Sequence, residues 1–101
     1  MIILAALMVV GCEIESMKKV GYGKQLDNAV DDQCFEKIFI NLKQSTHYSL
    51  SLDLEKTAGK ITFYNLTVDG TDSADSHEVF TQKSFQLSKK FMNQVIEKCS
   101  Y

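Results

Sequence analysis

Apolar residues repeat at a four-residue spacing in two stretches of the chain, and each stretch contains a cysteine. The first set comprises Leu26, Val30, Cys34, Ile38 and Leu42. The second set comprises Leu87, Phe91, Val95 and Cys99. Side chains four positions apart lie on one face of an α-helix, so this spacing predicts two amphipathic helices, over residues 26–44 and 84–99.

Between these stretches the periodicity becomes that of β-strands. Residues 47–55, HYSLSLDLE, alternate polar and apolar side chains, which predicts a strand with one face in solvent. Residues 60–68, KITFYNLTV, are rich in β-branched and aromatic residues and predict a second strand. The four residues between them, KTAG, predict a turn with Gly59 near its end.

The second predicted strand has a mixed phase. Ile61 and Phe63 alternate on one face. The remaining apolar residues alternate on the other face, and these are Tyr64, Leu66 and Val68. A β-bulge explains such a change of phase, and so does burial of both faces of the strand.

The elements in the order helix, strand, strand, helix predict an α+β fold. The economical arrangement packs both helices on one face of a small antiparallel sheet, because each helix has one apolar face to bury. We expect one domain over residues 25–101. A short further strand through Val20 and Tyr22 is an alternative for part of the weakly patterned segment that precedes this domain.

The first eleven residues, MIILAALMVVG, carry no charge. As a helix they would span roughly 16 Å, about half of a bilayer core, so they are too short to cross a membrane. Their length is typical of the apolar region of a signal peptide, although no Lys or Arg follows Met1. The alternative is that they form a buried strand or helix of the domain.

The next motif, Val9-Val10-Gly11-Cys12, resembles the lipobox of bacterial lipoproteins. The resemblance implies that residues 1–11 are a signal peptide, that the Cys12 thiol carries a diacylglyceryl group, and that residues 12–24 tether the domain to a membrane. It covers the first twelve residues, and no family is recognised for the rest of the chain.

The chain has three cysteines, an odd number for an exported protein. A lipid on Cys12 leaves Cys34 and Cys99, which both lie on the apolar stripes and are expected to pair. The bridge would close a loop of about 65 residues and contribute roughly 4 kcal/mol to stability. Two buried free thiols are the alternative.

Charge and motifs exclude several classes of function. The chain has 11 Lys and no Arg against 13 acidic residues, so no basic face for nucleic acid is expected. Neither His47 nor His77 belongs to a zinc motif. A Cys34–His47 nucleophilic pair is conceivable, but Cys34 lies within an apolar helix face, which is typical of an inert thiol. We therefore expect no enzyme activity, no metal and no cofactor.

The acidic loop at residues 69–78 offers oxygen ligands for Ca²⁺ but does not follow the EF-hand pattern, since Phe80 occupies the twelfth position. Just before this loop, Asn65-Leu66-Thr67 forms an N-glycosylation sequon. Six phenylalanines are expected to fill the core, and so short a domain is expected to leave no room for a cavity of several hundred Å³.

The expected function is non-catalytic binding of another protein at the cell envelope, as an inhibitor, an immunity or exclusion factor, or an assembly accessory. The membrane is expected to hold the protein through the lipid on Cys12. The candidate contact residues lie on the solvent face of the first strand and in the acidic loop, and these are Ser49, Ser51, Asp53, Asp69, Asp72, Asp75 and Glu78. The alternative is a soluble, secreted eukaryotic effector with a disulfide and a glycan on Asn65.

Overall fold

A long strand precedes the first helix. The computed structural model describes residues 18–100. Its elements are β1 (Lys19–Asp31), α1 (Asp32–Gln44), β2 (Ser49–Thr57), β3 (Lys60–Asp69) and α2 (His77–Cys99). The predicted α+β class, with two helices and an antiparallel sheet, is confirmed. The predicted order helix-strand-strand-helix is wrong, because the order is β-α-β-β-α and the sheet has three strands.

The first predicted helix starts six residues too early because its first apolar positions belong to β1. Leu26 and Val30 are both buried. A spacing of four is a multiple of two, so it also places side chains on one face of a strand. The helix begins at Asp32, where the Asp31 carboxylate caps it by accepting a hydrogen bond from the Cys34 backbone N–H at 2.9 Å.

The sheet has the order β1-β3-β2, and both pairs are antiparallel. One face packs against the helices, and its residues in the best-paired region are Val20, Tyr22, Leu50, Leu52, Tyr64, Leu66 and Val68. We call the other side the open face. It consists of Lys19, Gly21, Gly23 and Gln25 of β1, Phe63, Asn65, Thr67 and Asp69 of β3, and Ser49, Ser51, Asp53 and Glu55 of β2.

A bulge in β3 explains the mixed phase of this strand. Glu55 of β2 pairs with Phe63, whereas the next residue of β2 pairs with Ile61, so β3 has one extra residue, Thr62. Ile61 and Tyr64 therefore both point into the core, where they are 0 % and 1 % exposed. Phe63 remains on the open face.

The predicted turn between β2 and β3 is confirmed and has two residues. Ala58 and Gly59 have φ values of 53° and 77°, as a type I′ turn requires. Gly59 adopts this conformation at no steric cost, whereas Ala58 is an L-residue with a side chain in the left-handed region.

Aromatic rings hold the two helices against the sheet. Phe35 of α1, Phe91 of α2 and Tyr64 of β3 form a triangle with ring centroids 5.1–5.5 Å apart. A second edge-to-face pair, Tyr48 with Phe80, lies near the start of α2 at 5.3 Å. Such pairs add about 0.5–1.5 kcal/mol each to the burial of their apolar area.

Several sequence-based boundaries change. Residues 19–24 of the predicted tether are the start of β1, and they pair with β3. Helix α2 begins at His77, because the Ser76 side chain caps it by accepting from the Val79 N–H at 3.2 Å.

The predicted signal peptide, the lipobox and Cys12 lie outside the described residues. No helix within residues 18–100 is long and apolar enough to cross a membrane.

Candidate functional site

The open face of the sheet contains the solvent-exposed strand residues that the sequence predicted. Ser49, Ser51 and Asp53 are exposed and lie on it, as the alternation in residues 47–55 indicates. Their neighbours on the central strand are Asp69, Thr67 and Asn65. Within residues 18–100 both helices pack on the opposite side, so this face is left to solvent or to a partner.

Small side chains keep the open face flat. Gly21 and Gly23 leave room on β1 for the side chains of the central strand. A Cβ atom at Gly21 would stand 3.3 Å from both terminal atoms of the Asn65 amide, so Asn65 lies over the glycine backbone. The ring of Phe63 similarly lies against Gly23, at 3.5 Å from the position of its Cβ. The result is a shallow polar surface with one aromatic ring at its edge.

The acids of the 69–78 loop do not converge. Asp69 accepts hydrogen bonds from the backbone N–H and the hydroxyl of Thr71, which lower the pKa of its carboxyl group. Asp72 and Glu78 are exposed, and Glu78 lies in the first turn of α2, where it complements the helix dipole. Within the described residues no three His, Cys, Asp or Glu side chains are placed to hold a metal ion.

Asp75 instead joins the loop to the start of β2. It accepts a hydrogen bond from the Tyr48 hydroxyl and forms an ion pair of 3.3 Å with Lys83 of α2. The Tyr48 hydrogen bond, followed by Lys83, lowers the pKa of the Asp75 carboxyl group. Burial, with the nearby Asp75 carboxylate, raises the pKa of Tyr48 to about 12. Asp75 is therefore an ionised carboxylate whose Oδ2 atom contacts both partners.

A cleft of about 630 Å³ opens beside this pair, between the end of α1, the loop and α2. Its lining residues are Ser45, Thr46, His47, Tyr48, Ser73, Ala74, Asp75, Lys83, Gln86, Leu87 and Lys90. The expectation that the domain leaves no such space is wrong, because the cleft lies between surface elements and takes no volume from the core. Sequence reasoning missed it, although Lys83, Gln86 and Lys90 share one side of α2 by their spacing.

Cys34 and Cys99 stand at disulfide distance, with 2.06 Å between the Sγ atoms and 5.5 Å between the Cα atoms. They connect the first turn of α1 to the last turn of α2. His47 follows the opposite end of α1, and the ten residue steps of helix from Cys34 to Gln44 alone span roughly 15 Å. The structure therefore does not bring Cys34 and His47 together.

No protein-family model matches the chain, and no match was found among curated proteins or solved structures.

Proposed function

We propose that this protein is an exported, lipid-anchored, non-catalytic binding protein whose open sheet face contacts another protein at the cell envelope. The observation that carries the proposal is the open face itself, which is polar, flat and uncovered by any element within residues 18–100. Protein–protein interfaces are broad surfaces, whereas small molecules prefer concave sites, so a protein is the better-suited occupant of this face.

The size of the face indicates that the loop contributes to the contact. Three strands about 4.8 Å apart and roughly 30 Å long give a projected area of about 400 Å². A standard interface buries about 800 Å² on each partner. The exposed loop residues Thr71 and Asp72 adjoin the Asp69 end of the face and can supply part of the difference.

The charge of the face indicates the chemistry of its partner. Asp53 and Glu55 lie at one end, and Asp69 faces Lys19 at the other. The acids outnumber the single lysine of the open face, so a partner with a basic patch is expected to associate faster and to lose this advantage at high salt.

Export and lipidation are tested by the intact mass of the natively expressed protein, extracted in detergent, before and after reduction. The expected mass is that of residues 12–101 with a diacylglyceryl group, and it should increase by two protons on reduction. An unmodified mass that still includes residues 1–11, with three free thiols, would refute the lipoprotein assignment. The close approach of Cys34 and Cys99 supports export, because disulfides persist in oxidising compartments.

The binding surface is tested by site-specific photo-crosslinking in the native envelope. A photoreactive phenylalanine analogue at Ser51 should give one defined cross-linked protein. The same analogue at Gln82, an exposed position on α2, serves as the matched control and should not give it. Asp53→Lys should then weaken the identified complex. Equal cross-linking from both positions would contradict the assignment of the open face.

The second candidate is the soluble secreted effector with a glycan on Asn65. It is supported by the position of Asn65 on the open face, where a glycan would find space. A glycan there would cover the proposed contact surface, so the two functions exclude each other. The same mass measurement separates them, since a glycan adds a series of hexose-sized increments and lipidation does not.

A further inference from the structure

The cleft contains polar groups that the protein itself does not use. Three of its hydroxyl-bearing side chains are engaged with the backbone: Ser45 donates to the Leu42 carbonyl, Ser73 donates to the Gly70 carbonyl, and Thr46 accepts from the Tyr48 N–H. By contrast, His47, Gln86 and Lys90 make no hydrogen bond or ion pair with another described residue.

The charge balance of the cleft is positive. Asp75 is the one acid among the lining residues, and Tyr48 and Lys83 already engage its carboxylate. Lys18 approaches the same loop and donates to the backbone carbonyls of Ser73 and Asp75, at 2.8 Å each. Lys90 therefore lines the cleft without an ion-pair partner among residues 18–100, in a chain whose net charge is −2.

Apolar groups accompany these donors. Leu87 is partly buried in the lining, which also includes Ala74 and Tyr48. A volume of about 630 Å³ falls in the range of small-molecule sites, which combine an apolar wall with a few convergent polar groups.

From these features we propose that the cleft binds an organic anion, with its phosphate or carboxylate at Lys90, His47 and Gln86 and its apolar part against Leu87. The proposal goes beyond the proposed contact with a protein partner and does not depend on it, since the open face and the cleft share none of these residues. The anionic group can belong to a soluble metabolite or to a lipid headgroup, and the two sources differ in the test below.

The test is an amide chemical-shift titration of the isotope-labelled full chain in an uncharged detergent. The probes are phenyl phosphate, inorganic phosphate without an apolar part, and benzyl alcohol without a charge. Phenyl phosphate should shift the amides of the cleft and saturate at low millimolar concentration or below, and the other two should bind at least fivefold more weakly. Unchanged cleft amides at 20 mM phenyl phosphate would overturn the proposal.

A matched pair of variants distinguishes a site from general attraction to lysines. Lys90→Gln removes one charged hydrogen bond and should weaken binding about tenfold. Lys89→Gln, one residue away and outside the cleft, should change it less than twofold. Equal weakening by both variants would overturn the proposal. Both positions are exposed, and an unchanged spectrum of each unliganded variant verifies its fold.

Vesicles identify the source of the anion. Co-sedimentation of the Cys12→Ser chain, which cannot carry the proposed lipid, with phosphatidylglycerol but not phosphatidylcholine vesicles, weakened by Lys90→Gln and not by Lys89→Gln, would assign the cleft to a lipid headgroup. Binding of phenyl phosphate without vesicle binding would assign it to a soluble anion. Each assignment requires that phenyl phosphate also shifts the cleft amides, and the absence of that shift refutes the proposal whatever the vesicles show.

Discussion

Opening the Cys34–Cys99 link is expected to lower the free energy of unfolding by about 4 kcal/mol. The two cysteines are 65 residues apart. In the chain-entropy model a loop of this length lowers the entropy of the unfolded chain by about 14 cal/mol/K, which corresponds to about 4.3 kcal/mol at 25 °C. Small domains have total stabilities of about 5–15 kcal/mol, so the link would account for a large part of this one.

The measurement is urea unfolding followed by circular dichroism, with the oxidised and the reduced wild-type protein side by side. Reduction breaks the bond between Cys34 and Cys99 and leaves the packing of the Cys99 side chain, which is 3 % exposed, almost intact. The free energy of unfolding typically falls with a slope of about 1–3 kcal/mol for each molar increase in urea. The urea midpoint of the reduced protein should therefore lie about 1.5–4 M below that of the oxidised protein. The slope should also rise, because the reduced unfolded chain is less compact.

Alanine variants provide the control. Cys34→Ala and Cys99→Ala both remove the link, and Cys99→Ala also loses buried contacts, so it should be the less stable of the two. Thiol alkylation and mass measurement would verify the oxidation state of each sample. Identical midpoints and slopes for verified oxidised and reduced samples would refute the entropy argument for this chain.

Three further predictions concern the fold. Ala58→Asn should raise the free energy of unfolding by about 0.5–1 kcal/mol, because Asn tolerates the left-handed turn position better than Ala; an unchanged urea midpoint would contradict this. Gly70→Ala should lower it by about 1–3 kcal/mol, because the new Cβ would stand 2.6 Å from the buried ring of Phe80; full stability would show that the ring moves aside easily. Burial raises the pKa of Tyr64 to about 12, and the pKa of Tyr48 is also raised to about 12. The unfolded chain therefore ionises these groups first, near pH 10, so the contribution of the two tyrosines to stability should be constant below pH 10 and fall between pH 10 and 12, by about 3 kcal/mol for Tyr64. Tyr64→Phe should reduce this alkaline loss of stability, measured by urea titration at several pH values. An unaltered pH profile of stability in this variant would be evidence against a raised pKa of Tyr64.

The two helices and β2 could be predicted because each contains one clear period, and β3 could be predicted from its β-branched and aromatic residues in spite of its bulge. The stripe from Phe91 to Cys99 is helical in the structure, and the alternation from Leu50 to Leu54 is a strand. For β1 the sequence indicates only the short strand through Val20 and Tyr22, which the structure contains, and its full length is not recognisable because Gly21 and Gly23 bring no polar side chains to the open face. Leu26 and Val30, the last apolar residues of β1, also match the four-residue spacing of helix α1.

Of the two candidate surfaces, the open face could be predicted from the sequence and the cleft could not. The solvent face at Ser49 and Ser51 follows from local alternation, so the sequence predicts it correctly. The role of Asp75 depends on Tyr48 and Lys83, which are 27 and 8 residues away from it in the chain. Contacts between separate elements follow from packing, and a single sequence carries no direct signal of them. The cleft was missed for this reason.

The early start of β1 also determines which end of the domain would face the membrane. Six residues separate Cys12 from the first residue of β1, and they span at most about 20 Å. Lys18 fixes the entering chain to the carbonyls of Ser73 and Asp75, so it enters beside the cleft. With a lipid on Cys12, as we propose, the cleft would lie near the lipid headgroups and the β2–β3 turn would point away, roughly 30 Å farther along the strands. The open face would then stand steeply to the membrane and be accessible to a partner from the side, while phosphate headgroups would be the organic anions nearest to the cleft.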